Sequence, residues 1–302
     1  MKKNFAVAAA LLCAAYLFAP AVQAKENNAK KAAATQYPIV LVHGAGFRDT
    51  TFRIGYWGRI PETLEARGAR IFYGGTDGWG SIESNAAMLK KTIKSVLAET
   101  GSKKVNLIAH SKGGVEARYM IASLGMADKV ASLTTISTPH RGSATLDKIL
   151  GVPDFLFKGV SWLMDGTFKV FLHDEDPDFY NGCKSLTTEY MREFNRANPN
   201  DPRVYYQSFD GALTVLGGSI LLSWTAFPIE KIEGENDGLV TVESAKWGNY
   251  RGALRGVTRR GVSHADLVDV WRRDLAIQPL LGAQTVREFY VALAADLKAR
   301  GF

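Results

Sequence analysis

From Tyr37 onward, short continuous apolar runs alternate with segments whose apolar residues recur every three or four positions. "YPIVLVHG", "ARIFYGG", "KKVNLIAH" and "KVASLTTIST" read as strands buried on both faces, because none shows the polar–apolar alternation of a half-solvated sheet. Between them lie helical patterns. "GRIPETLEARG" and "GGVEARYMIASLG" are two, and Ser81 is placed to cap a third that runs to Thr100 with Ile82, Ala86, Leu89, Ile93 and Val96 on one face. Strands and helices repeating in this way predict an α/β protein whose mostly parallel central sheet is covered by helices on both faces.

The rhythm breaks from about residue 141 to 200. This stretch holds "DFLFKGVSWLMDGTFKVFLHDEDPDFYNG" and then a helical "SLTTEYMREFNRANP", with no strand to match. An excursion of this length inside a regular fold is usually functional. Its apolar and aromatic content, with Phe155, Phe157, Trp162, Leu163, Met164, Phe168 and Phe171 between charged flanks, suits a helical lid or pocket wall facing an apolar substrate. The plainer alternative is a pair of helices packed on the core. Regularity returns with "RVYYQSF", an apolar stretch from Leu213 to Phe227 that would form an opposite wall, and a polar loop "EGENDGLV". A strand at about Gly256 to Val262 and a closing helix with Val286, Phe289, Leu293 and Leu297 on one face complete the pattern. There is no internal repeat.

The N-terminus adds a different kind of information. In "MKKNFAVAAALLCAAYLFAPAVQA", two lysines precede an apolar run that ends with Val22 and Ala24 at the small-residue positions of a cleavage site. Residues 1–24 are therefore expected to be an export signal, 25–36 a polar spacer, and 37–302 one domain carrying an insertion at about 141–200. The destination is the periplasm or the medium. No later stretch is long and apolar enough to span a bilayer. Cleavage would remove Cys13 and leave Cys183 without a partner thiol, so the exported domain must be held by its core. The net charge of +7 is spread along the chain and not gathered in a dense basic run, which argues against nucleic acid as a partner.

Chemistry first shows itself in "VNLIAHSKGG". A serine on a sharp strand-to-helix turn is the display used by α/β-hydrolases, where the residues two before and two after must be small; Ala109 and Gly113 meet that limit. The simpler reading of Ser111 is a helix cap. A nucleophilic serine needs a base, and in this architecture the chain order is Ser, then Asp or Glu, then His. Of five histidines, His43 and His110 precede Ser111, His140 follows it too closely, and His173 falls in the excursion. His264, in "GVSHADLVD", is the one at the expected place. The acid must lie between them, and Asp210 after "VYYQSF" and Asp237 in "GENDGLV" both qualify. The oxyanion donors expected from this architecture are the N–H of Lys112, contributing its backbone and not its charge, and one from the turn in "LVHGAGF", with Ala45 favoured and Gly46 the alternative.

Four motifs, "VLVHGAGF", "AHSKGG", "NDGLV" and "SHADLVD", together resemble the bacterial triacylglycerol lipases of the true-lipase group, in order and spacing from about Tyr37 to Asp269. The resemblance implies an α/β-hydrolase fold with a helical lid and selects Asp237 as the acid beside Ser111 and His264. It supports Ala45 and Lys112 as oxyanion donors. It implies a lipid or ester substrate met at a lipid–water interface, and the apolar excursion favours long-chain acylglycerols. A carboxylesterase, polyester depolymerase or acyltransferase on the same triad, and a non-catalytic lipid-binding envelope protein, are the alternatives. Whether a chaperone assists folding is not specified by the sequence. No cofactor is required by the chemistry. Relatives of this group hold a structural Ca²⁺ near the histidine loop through an aspartate matched here by Asp266. Their second carboxylate falls in "TVLGG", where none stands, leaving Asp210 as a substitute in a set that is short for a hard cation.

Overall fold

The computed structural model describes residues 30–46, 48–49, 55–150, 158, 161, 165–166, 169, 173–213, 229, 231, 233–258 and 260–302. Strand β1 (Ile39–Val42) opens the sheet and leads through helix α1 (Ile60–Glu65) to β2 (Ile71–Tyr73). Helix α2 (Ile82–Thr100), β3 (Val105–His110), α3 (Lys112–Ala122) and β4 (Val130–Ile136) follow. Short helices α4 (Ala144–Ile149) and α5 (Phe179–Lys184) and helix α6 (Thr188–Ala197) precede β5 (Tyr205–Ala212). Helix α7 (Val242–Ala245), edge strand β6 (Asn249–Arg255), a hairpin of β7 (Ala276–Leu280) and β8 (Ala283–Thr285), and helix α8 (Val286–Ala299) complete the described chain.

The six strands β1 to β6 form one sheet in the order β2-β1-β3-β4-β5-β6, with every pairing parallel. Parallel pairing forces each connection to cross a face of the sheet, so the C-terminal ends of the strands share one edge. The strand alternation divides the core in two. Ile39, Leu41, Ile108 and Phe209 face α1 and α8 through Leu64, Phe289, Tyr290 and Leu293. Val40, Val42, Leu107 and Leu133 face α2 and α3 through Leu89, Ile93, Met120 and Ile121. The continuous apolar runs of the sequence thus have their cause in burial on both faces. Ser81 accepts from Ser84 N–H at 3.1 Å and caps α2 as its position predicts. Polar groups inside the sheet are paired, Ser132 Oγ with Asn106 Oδ1 at 2.7 Å and Gln207 Nε2 with Thr134 Oγ1 at 2.9 Å.

One expectation is corrected. The last sheet strand is Asn249–Arg255, not Gly256–Val262; Gly256 and Gly261 make only isolated bridges. An edge strand need not be apolar, and β6 is mostly half-buried, with Arg251 paired to Asp296 at 2.6 Å, so no hydrophobic run advertised it. The β7–β8 hairpin was also not anticipated. Pro279 in β7 fits an antiparallel pair outside the main sheet, where one ladder donor can be lost. The expected lid residues Phe155, Phe157, Trp162, Leu163, Met164, Phe168 and Phe171, the stretch from 214 to 227 and the export signal lie outside the described residues.

The segment carrying His264 is tied down from two sides. Asp269, buried at φ 53°, accepts from Arg59 N, Nε and Nη2 at 3.0, 2.8 and 2.9 Å, while Tyr290 Oη donates to the Leu267 carbonyl at 2.8 Å. Replacing Arg59 by Met leaves a buried carboxylate without its two-pronged partner. Because Arg59 is itself partly solvated, the expected loss is about 2–3 kcal/mol, read as a lower urea midpoint at unchanged slope.

Candidate active site

At the C-terminal edge of the sheet, β3 ends at His110 and α3 begins at Lys112, leaving Ser111 alone to make the turn. It does so at φ 54°, ψ −134°, and its hydroxyl caps no helix N–H. The helix-cap reading of Ser111 is therefore set aside. A conformation this costly for a residue with a Cβ persists only where its surroundings over-determine it. Here they are close. A Cβ on Gly113 would overlap the His43 carbonyl oxygen, and one on Gly44 would lie 2.5 Å from Ser111 Cβ. The turn after β1 and the turn after β3 thus touch, which is why both are glycine-bearing.

The first of these turns has three N–H groups, and two are committed. Gly44 N–H donates to the Tyr56 hydroxyl at 3.0 Å and Gly46 N–H to the Gly78 carbonyl at 3.2 Å. Among the described residues no acceptor is bonded to Ala45 N–H. Of the two donors weighed from sequence, Gly46 is thus committed to Gly78. On the other side, Lys112 is the first residue of α3 and its N–H has no intrahelical acceptor.

Asp237 and His264 are brought together from separate loops. Nδ1 of His264 lies 2.6 Å from Asp237 Oδ2, and a backbone bond from His264 N–H to the Asp237 carbonyl at 2.9 Å holds the two loops in register. Asp237 Oδ1 also accepts from Leu239 and Val240 N–H at 3.0 and 2.8 Å, and Ser137 Oγ donates to Oδ2. Four donors converge on this carboxylate and fix its orientation. Ser137 directly follows β4, so the ends of β3 and β4 supply Ser111 and a support for Asp237 from neighbouring strands. The His264 ring packs against that of His110, the residue before Ser111, at 4.3 Å between centroids.

Asp210 is differently placed. It is fully buried in β5, its side chain reaches the Tyr250 hydroxyl at 3.3 Å, and burial together with the nearby Asp237 charge pushes its carboxyl up to about 7. The pairing with His264 belongs to Asp237. The remaining histidines have other occupations: His43 Nδ1 lies 2.7 Å from the Gly44 carbonyl, and His140 pairs with Thr135 Oγ1 at 2.9 Å and stacks on Trp247.

Asp266 does not offer a free carboxylate. Its Oδ2 accepts from Ser263 N–H at 3.1 Å and Ser263 Oγ at 2.6 Å, and its Oδ1 faces the Arg260 guanidinium at 3.5 Å. Among the described residues no group of three or more His, Cys, Asp or Glu is arranged to hold a metal ion. The donor set there does not fit a hard cation, and no step is assigned to one.

Several contributors were not visible in the sequence. Tyr56 joins the turns, accepting from Gly44 N–H while pairing with His110 Nδ1 at 2.7 Å. Burial first, and then the neighbouring His264, hold the His110 imidazole well below the usual range. Nothing in the motif pattern marks Tyr56 or Ser137. Their role follows from the fold.

Comparison with known proteins agrees with this architecture. The alpha/beta hydrolase fold family matches residues 37–231. "Triacylglycerol lipase 2" of Saccharomyces cerevisiae is 33% identical over 257 residues, 82% of this chain and 75% of that one. The triacylglycerol lipase of Pseudarthrobacter phenanthrenivorans is 36% identical over 213 residues, 66% of each chain. Among solved structures, a metagenomic carboxyl esterase superposes with a TM-score of 0.66 at 17% identity, covering 87% of this chain and 76% of that one. A Bacillus licheniformis lipase in mature form does so at 0.57 and 22% identity, covering 78% and 87%. The chain belongs to the alpha/beta hydrolase fold family, in which it is a carboxylic ester hydrolase of the lipase type.

Proposed function

We propose that the protein is an exported lipase that cleaves long-chain acylglycerols through a Ser111–His264–Asp237 triad and an acyl-enzyme. The observation that carries this reading is the 2.6 Å bond between His264 and Asp237 at the same sheet edge where Ser111 makes its strained turn. Asp237 holds the imidazole with its proton on Nδ1, leaving Nε2 to accept the Ser111 proton as the hydroxyl oxygen attacks the ester carbonyl. The tetrahedral oxyanion is met by Ala45 and Lys112 N–H. Collapse breaks the bond to the alcohol, which leaves with the proton from His264. Water then attacks the acyl-enzyme through the same base, releasing the fatty acid and restoring Ser111.

The acylglycerol substrate is supported by the relatives named triacylglycerol lipases and by the apolar composition of residues 155–172. Export is supported by the charge and apolar pattern of the first 24 residues, and no helix of the described chain is long and apolar enough to cross a membrane.

Hydrolysis measured across acyl chain lengths, with emulsified and soluble esters, tests the reading. Wild type is expected to favour long-chain emulsions, and Ser111→Ala to lose all turnover. A preference for short soluble esters moves the substrate to the carboxylesterase alternative, and full activity in Ser111→Ala overturns the mechanism. Asp237→Asn is expected to lower kcat by about 10⁴, as for the acid of comparable triads. Asp210→Asn should change kcat by less than about tenfold, a loss too small for an acid of the triad; the reverse ranking would assign the acid to Asp210.

Asp210 also gives a prediction about stability. A carboxyl raised from the usual range near 4 to about 7 binds its proton more tightly in the folded chain. That contribution is whole below about pH 4 and is lost as pH rises through about 7. Thermal unfolding should therefore show Tm of Asp210→Asn rising relative to wild type between pH 4.5 and 8. A difference that stays constant with pH would contradict the assigned proton.

A further inference from the structure

The side chain of Lys112 is buried, with an ammonium group that no solvent reaches. Nζ donates to the Gly80 carbonyl at 2.6 Å and to Glu116 Oε1, one helical turn further along α3. Glu116 is buried as well, and the same Oε1 accepts from Asn85 Nδ2 at 2.8 Å. Asn85, in the first turn of α2, also donates to the Asp77 carbonyl at 2.8 Å and accepts from Asp77 N–H at 3.1 Å. The loop 77–80 is in turn bound to residues 174–176, within the excursion. Asp174 accepts from Gly78 and Trp79 N–H at 3.0 Å each, and Asp176 N–H donates to Asp77 Oδ2 at 2.7 Å.

A buried ion pair is poor value as pure stabilisation. Removing two charges from water costs several kcal/mol per ion, and an apolar pair of equal volume often serves stability as well or better. What this pair offers is direction. Lys112 carries one of the two backbone N–H groups assigned to the oxyanion, and it follows a serine held at φ 54°. Fixing its ammonium between the loop carbonyl and Glu116 leaves its own peptide group little freedom to rotate.

We propose that the Lys112 side chain is a positioning residue for the reaction, with Glu116 and Asn85 as its supports: the clamped ammonium sets the aim of the Lys112 backbone N–H. This rests on the Ser111 mechanism and adds to it a function for a charge that the mechanism does not otherwise use. Donors aimed before the reaction begins stabilise the transition state without reorganisation, and losing one outright costs about 10²–10³ in kcat. Loosening one should cost less, about tenfold.

The test compares Lys112→Met, Glu116→Gln and the double variant Lys112→Met/Glu116→Leu with wild type on a soluble ester, each with its Tm. Lys112→Met leaves Glu116 buried without its cation and is expected to lower both Tm and kcat. The double variant replaces both charges by apolar groups and is expected to regain Tm while kcat stays about tenfold down and KM stays within about twofold. Glu116→Gln keeps the acceptor to Nζ and should lose only a few-fold in kcat. The rate of inactivation by a p-nitrophenyl alkylphosphonate, whose phosphoryl oxygen sits where the oxyanion forms, should fall in parallel with kcat. Recovery of kcat together with Tm in the double variant would make the pair structural only and overturn the proposal. Ser111→Ala, run alongside, separates the two claims: if it is active the underlying mechanism fails, and if it is inactive while the Lys112 variants turn over at the wild-type rate, only the positioning role fails.

Discussion

Ser111 cannot relax. Its backbone has the left-handed φ of 54° that a residue with a side chain adopts at a cost of about 1–3 kcal/mol. Surrounding contacts close off the alternatives: the His43 carbonyl leaves no room for a Cβ at Gly113, Gly44 packs on the serine's own Cβ, and Ser111 N–H is bound to the Ile136 carbonyl at 3.0 Å. Much else in the site can be understood as a consequence of holding that turn. The parallel sheet delivers the ends of β1, β3 and β4 to one edge, so the turns after β1 and β3 meet at the serine, with a packed core on each face of the sheet behind them.

Polar groups buried around this turn are engaged in ways that fix direction more than they add stability. Tyr56 ties the turn after β1 to His110, Ser137 and two backbone N–H groups orient Asp237, and the Lys112 ammonium reaches across to the loop 77–80. Each is inside the protein, where a hydrogen bond is electrostatically stronger than in water and an unmet one is expensive. Such networks have one good arrangement. For a hydrolase whose acceleration depends on donors already aimed at a developing charge, that uniqueness is the useful property.

How much of this could be read from the chain depends on whether the chemistry or the fold chooses the residue. Ser111 and His264 are legible as candidates because acyl transfer needs those residue types in a set order, and the small residues at 109 and 113 are legible because the turn excludes larger ones. The choice between Asp210 and Asp237 was open from residues alone, since both fall at the ends or loops of suitable elements; the family resemblance selected Asp237, whose carboxylate is the one that lies 2.6 Å from His264. Tyr56 and Ser137 act at a distance in sequence from what they support, and a tyrosine or serine in those places would be unremarked in any α/β protein. The edge strand at Asn249–Arg255 was misplaced because burial, the signal that marks the inner strands, is weakest at an edge. Lys112 was read for its backbone alone; its side chain gained a role only when Gly80, Asn85 and Glu116 were found around it.

The central claim is that Ser111 is an activated nucleophile with His264 as its base. Labelling the folded protein with a fluorophosphonate and mapping the adduct by peptide mass spectrometry tests it most directly. The account predicts a single adduct on Ser111 in wild type and little or none in the folded His264→Ala variant. An adduct on another residue, or labelling of Ser111 that is indifferent to loss of His264, would contradict it.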